Sequence, residues 1–230
     1  MTRSSWKRFL VPAAVAVVVL AGALLFPRQY YAWISMAAAV IACLPLLVRF
    51  ERRSPAAGEL TVLAVLVAIS SAGRFAFAWI PAFKPVTAVT VLSAMYLGPE
   101  SGFIVGALSA LVSNFYFGQG PWTPFQMFAW GFLGFLAGLL SRPLQKNKAW
   151  LCIYGIWAGL LYSLIMDVWT TLWADGTFVL GRYLAACASA LPFTVMYAAS
   201  NVVFLLILGG PVGEKLQRIK EKYGLFQNQA

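Results

Sequence analysis

Long stretches of this chain carry no charge. Phe9–Phe26, Tyr31–Val48 and Tyr183–Leu208 run without a single Asp, Glu, Lys or Arg. As a helix, a run of about 18 or more apolar residues is long enough to cross the hydrocarbon of a bilayer. In lipid every backbone N–H and C=O must be bonded internally, which leaves helices and closed barrels. The runs here are rich in Leu, Ala, Val and Gly and lack the two-residue alternation of barrel strands, so they predict helices. Composition points the same way: 61% of the 230 residues are apolar and 10% are charged, too few charges to wet a soluble domain of this size.

The apolar runs and their breaks predict an all-α polytopic membrane protein of about eight spans: Phe9–Phe26, Tyr31–Val48, Leu60–Ile80, a short Val86–Leu97, Gly102–Phe117, Pro124–Leu140, Ala149–Leu172 and Tyr183–Leu208. The segment opening MTRSSWKRF resembles a signal peptide, but its apolar run continues through Leu24, Leu25 and Phe26, which favours a retained helix. Basic residues gather at alternate breaks: Arg3, Lys7 and Arg8; Arg49, Arg52 and Arg53; Arg142, Lys146 and Lys148; Lys215, Arg218, Lys220 and Lys222. Cytosolic loops of membrane proteins carry such an excess, so both termini are expected in the cytosol. The net charge of +10 is therefore read as a topology signal beside anionic lipid rather than as a nucleic-acid footprint. The expected organisation is an N-terminal transmembrane hairpin over 1–53, a cytosolic linker over 54–59, a six-helix membrane domain over 60–209 and a basic cytosolic tail over 210–230.

Several chemistries lack their residues. There is no histidine, and Cys43, Cys152 and Cys187 lie singly inside apolar runs, so they read as packing residues and no metal site is expected. No nucleophile and base set stands out, so no catalytic residue is assigned. No GxxxxGK[ST] motif occurs, so an ATPase site would have to reside in another subunit.

What remains is polar and aromatic. Arg74, inside the third span, needs a partner at that depth, and Asp167 in the seventh is the obvious one for a buried ion pair. The stretch FGQGPWTPFQMFAWG, Phe117–Gly131, is stiff, aromatic and uncharged. On the outer side Phe77, Trp79, Tyr116 and Trp122 lie near Asn114, Gln119, Thr123, Gln126, Asp167 and Thr170, with Lys84 and Trp130 beside them. Aromatic faces combined with amides and hydroxyls suit a large, partly apolar ligand with hydrogen-bonding edges. Ala64, Ala68 and Ala72 recur every fourth residue, a small-residue face against which another helix can pack closely, whether an internal neighbour or a partner's.

The alanine face, the short helix after the Pro-rich loop in IPAFKPVTAVTVLSAMYLGPESGFIVGALSALVSNF, and FGQGPWTPFQMFAWG together resemble the substrate-binding S component of an energy-coupling factor (ECF) vitamin transporter. The region Leu60–Leu140 is most similar to the cobalamin-specific branch, CbrT. That resemblance implies a prokaryotic plasma-membrane protein with a six-helix bundle that captures a vitamin from outside. It implies no enzyme activity and no permanently bound cofactor, with cobalamin as the transported ligand. It implies as partners a transmembrane coupling subunit, docked on Ala64, Ala68 and Ala72, and two cytosolic ATPase subunits against which the protein topples. The hairpin Phe9–Val48 departs from the six-helix pattern. Two alternatives stay open: the same family with another ligand, such as a flavin or a queuosine precursor, and a self-sufficient secondary transporter.

Overall fold

A computed structural model describes residues 55–226 together with scattered positions between 37 and 51. The first expected span, Phe9–Phe26, lies outside the described residues. Within residues 55–226 seven helices follow one another: α1 (Ala57–Ala76), α2 (Val86–Leu97), α3 (Pro99–Phe117), α4 (Thr123–Leu139), α5 (Ser141–Lys146), α6 (Lys148–Asp175) and α7 (Leu180–Tyr223). Among the described residues, α1, α6 and α7 are long and apolar enough to cross a membrane.

The bundle is built around α2. At 12 residues it is about 18 Å long, too short to span hydrocarbon alone. It is apolar on every side and buried at every position except Tyr96. A helix without a polar face belongs in a core, and α1, α3, α4 and α7 enclose this one. Gly98, at φ 101°, makes the sharp turn into α3, a backbone conformation that a side chain would strain.

Two helix pairs pack backbone to backbone. A Cβ on Gly106 of α3 would come within 2.5 Å of the Trp130 carbonyl of α4, and one on Gly134 would strike the Gly102 carbonyl. A Cβ on Gly159 of α6 would lie 2.6 Å from the Ala198 nitrogen of α7. Across this second seam Asn201 Nδ2 donates to the Gly155 carbonyl at 3.0 Å, and the Ser163 and Thr194 hydroxyls share a hydrogen bond at 2.6 Å. Small residues thus bring the helices close enough for dispersion and polar side chains to join them.

The far C-terminus differs from expectation. In place of a span ending at Leu208 and a separate basic tail, α7 is one helix of 44 residues that passes through Pro192 and Pro211. At roughly 66 Å it exceeds the ~30 Å hydrocarbon thickness, so its charged end, from Glu214 onward, lies beyond the apolar layer. Lys220 Nζ donates to the Tyr96 carbonyl, and Gln145 of α5 donates to the Met95 carbonyl at 2.5 Å. Both close off the end of the short α2. In the second expected span Cys43 packs with Phe103 and Ala107 of α3, and just beyond it Phe50 joins a cluster with Leu63 and Leu66 of α1.

Candidate functional site

The end of the bundle formed by the α1–α2 and α3–α4 loops holds the predicted polar and aromatic residues. Arg74, in the last turn of α1, points inward. Its Nη1 donates to Ser113 Oγ at 2.5 Å and to Asn114 Oδ1 at 2.7 Å. The guanidinium carbon lies 4.4 Å from the Phe117 ring centre and 5.1 Å from that of Trp130. Two neutral acceptors and two ring faces therefore carry a cation within the protein.

The expected Arg74–Asp167 ion pair does not form. α1 packs chiefly on α3 and α2, whereas α6 packs on α7 and α4, so the two residues approach the interior from different sides. Asp167 lies instead on the side of α6 that faces Tyr183 and Cys187 of α7. Asp167 is buried. A salt bridge does join Arg182 to Asp175, at 2.9 Å on the exposed turn between these helices.

From Arg74 a chain of hydrogen bonds runs into the opening of FGQGPWTPFQMFAWG. Asn114 Nδ2 donates to Thr123 Oγ1 at 3.0 Å, and the Thr123 hydroxyl donates to Gln119 Oε1 at 3.0 Å. Gln119 Nε2 closes back on the Leu111 carbonyl of α3 at 2.8 Å. Gly118, at φ 101°, allows the chain to leave α3 at this point. Asn114 and Thr123 are buried, while Gln119 is exposed at the rim. Their first role is visible here: they tie the loop to the helix that carries the cation.

Below the loop, α4 presents Gln126 and Trp130 on one face, a helical turn apart. Gln126 Nε2 donates to the Tyr162 hydroxyl of α6 at 2.8 Å. The Trp130 ring stacks on Tyr162 at 5.2 Å and 14°, and Tyr162 meets Tyr197 of α7 edge-on at 4.9 Å. Gln126 is 7% exposed, yet its Oε1 has no hydrogen-bond partner among the described residues. In a packed interior an unsatisfied acceptor costs free energy, so this atom marks a place where a donor belongs.

The remaining predicted site residues divide. Lys84 Nζ donates to the Phe77, Ala78 and Ile80 carbonyls at 2.7, 3.3 and 3.0 Å, which uses all three ammonium hydrogens on its own loop. Its backbone N–H and C=O clasp the Ser200 hydroxyl of α7. Lys84 is therefore loop scaffolding rather than a free ligand contact. Burial, and then the Arg74 charge, pull its ammonium below the usual lysine range. Phe77 packs with Phe83 and Phe204 under the same loop. Trp79 and Tyr116, 78% and 71% exposed, face outward, as do Thr170 and, less fully, Trp122. Outward aromatics at this level suit a bilayer interface.

Sequence reading missed Ser113, Tyr162 and Tyr197. The two tyrosines carried a usable signal: each sits well inside a long apolar helix, away from the ends where interfacial tyrosines gather. Ala64, Ala68 and Ala72 are all exposed, with Val65 and Ile69 beside them, so this face of α1 is uncovered in the structure.

An all-helical bundle with apolar spans, an uncovered small-residue face and a polar, aromatic interior at one end defines a membrane protein with the makings of a ligand-binding subunit. The sequence profile described as "ECF-type riboflavin transporter, S component" matches residues 56–218. The chain belongs to this family of ECF transporter substrate-binding subunits. The match names riboflavin, and the cobalamin-specific branch suggested by Leu60–Leu140 finds no support in it. No curated protein and no solved structure matches the chain. S components are not enzymes, and the ATP hydrolysis that drives this transport class occurs in partner subunits.

Proposed function

We propose that this protein captures a flavin, riboflavin in the first instance, at the outer face of the cell membrane and delivers it inward. The observation that carries the reading is the family match across residues 56–218. The interior around Arg74, Gln126 and Trp130 supports it. A flavin is a planar, largely apolar ring system with one polar edge, and such a ligand asks for ring faces bordered by a few fixed polar groups. Delivery proceeds by toppling against a transmembrane coupling subunit, docked on Ala64, Ala68 and Ala72 and driven by two cytosolic ATPase subunits. The proposed topology has eight spans and cytosolic termini, with the 1–53 hairpin added to a six-helix unit.

The test is isothermal titration of the purified protein with riboflavin and, separately, with cobalamin. One-to-one binding of riboflavin supports the reading. Binding of cobalamin alone would restore the cobalamin branch within the same family. Silence toward every vitamin would favour a transporter with a different cargo.

A further inference from the structure

A half-buried and a buried side chain, Arg74 and Gln126, converge on the α4 face with hydrogen-bonding capacity left over, and their capacities are opposite. Arg74 can only donate; Nη1 is engaged by Ser113 and Asn114, while Nε and Nη2 have no acceptor among the described residues. Gln126 Oε1 can only accept, and it has no partner among the described residues. The guanidinium lies over Trp130, and Gln126 stands one turn away on the same helix face. The site thus offers a donor beside an acceptor, fixed by Ser113 and Asn114 on one side and by Tyr162 on the other.

This pattern discriminates among ligand groups. A carboxylate or phosphate satisfies Arg74 but sets its own lone pairs against Gln126 Oε1. An amine satisfies Gln126 and repels Arg74. A group with C=O next to N–H satisfies both, and a ring that carries the two holds them on one fixed edge. We propose that Arg74 and Gln126 read the adjacent C=O and N–H of a planar cyclic imide: the guanidinium donates to the carbonyl and Gln126 Oε1 accepts from the imide N–H. This rests on the flavin reading, since the pyrimidinedione ring of a flavin carries such an edge, and it adds which residues read that edge and through which atoms.

The experiment compares riboflavin with riboflavin methylated on the imide nitrogen, by quenching of flavin fluorescence on the purified full-length protein in detergent. Methylation removes the one proton that Gln126 Oε1 is assigned to accept. The wild-type protein is expected to bind the methylated flavin roughly 10- to 100-fold more weakly, the usual consequence of leaving a buried polar group unpaired. Gln126→Ala, which also makes room for the methyl group, is expected to bind the two flavins equally. Arg74→Met is expected to weaken both while preserving the preference. Equal binding by the wild type, or a preference that survives in Gln126→Ala, overturns the assignment and leaves the flavin reading standing. Failure of the wild type to bind riboflavin at all overturns the flavin reading, and the assignment falls with it. Equal binding by the wild type overturns the assignment even if a variant fails to fold.

Discussion

Asn114 is the residue whose loss should be felt most widely. It is 1% exposed and joins two elements at once, accepting from Arg74 at 2.7 Å and donating to Thr123 at 3.0 Å. Replacement by leucine, close in volume, removes both bonds without opening a cavity. The bond to the guanidinium is charge-assisted and contributes about 1.5–3 kcal/mol, and the amide–hydroxyl bond about 0.5–1.5 kcal/mol. Polar pairs between membrane helices often measure lower, near 0.6 kcal/mol, because the unfolded chain in the bilayer also finds partners. A combined loss of roughly 2–3 kcal/mol is therefore expected for Asn114→Leu. At about 2–4 °C per kcal/mol for a chain of this length, the melting temperature should fall by roughly 4–12 °C. The assay is thermal unfolding in detergent followed by tryptophan fluorescence. Asn114→Asp is the control: its carboxylate keeps an acceptor for Arg74, so it should melt well above Asn114→Leu. If the two variants melt together, or if leucine matches the wild type, the bonds do not contribute as argued.

Other perturbations address separate parts of the structure. Gly159→Val places a side chain against the Ala198 backbone, which cannot move aside as a side chain can, so the α6–α7 seam should open; the expected cost is about 1–3 kcal/mol or more, seen as aggregation on size exclusion. Ala68→Trp, on the exposed face of α1, should leave riboflavin affinity within about twofold of wild type while abolishing uptake in cells carrying the coupling and ATPase subunits, and unchanged uptake would count against docking there. Lys84→Met removes three hydrogen bonds inside the α1–α2 loop; faster proteolysis of that loop, with a smaller loss of ligand affinity than in Arg74→Met, is the expected outcome.

Much of the bundle was legible because lipid permits so few structures. The apolar runs placed α2 at Val86–Leu97, and α3, α4 and α6 begin and end within a few residues of their expected limits. The misplaced element was the last one. The expected span ends at Leu208 and a basic tail begins at 210, yet α7 continues without a break through Pro192 and Pro211. A helix packed on its neighbours can lose a backbone bond at proline and stay continuous. The site was harder to read, since charge pairing was inferred from depth alone. Depth brought Arg74 and Asp167 together, but the rotation of each helix about its axis decides what a side chain meets, and only packing fixes that rotation. The residues that do meet Arg74, Ser113 and Asn114, lie on a neighbouring helix and carry no charge to announce them. Lys84 misled for the opposite reason: a lone cation near the aromatics suggested a ligand, whereas the loop's own carbonyls engage it.

The first helix gives these observations a mechanical meaning. Ala72 and Arg74 are two residues apart, so their side chains point about 200° apart around the α1 axis. One face of α1 is bare and small, and the other delivers the cation that holds Asn114, Thr123 and, through them, the α3–α4 loop. In the proposed transport cycle a coupling subunit pressing on Ala64, Ala68 and Ala72 therefore acts on the same rigid element that positions Arg74. A small rotation or slide of α1 would draw Nη1 away from Ser113 and Asn114, loosen the loop that Thr123 and Gln119 secure, and withdraw the donor assigned to the ligand carbonyl. In that cycle capture and release would follow from one displacement of α1. A disulfide that tethers α1 to α3, introduced at facing exposed positions away from Arg74, should accordingly preserve flavin binding in detergent and stop transport, and uptake that persists with the tether closed would show that α1 does not move.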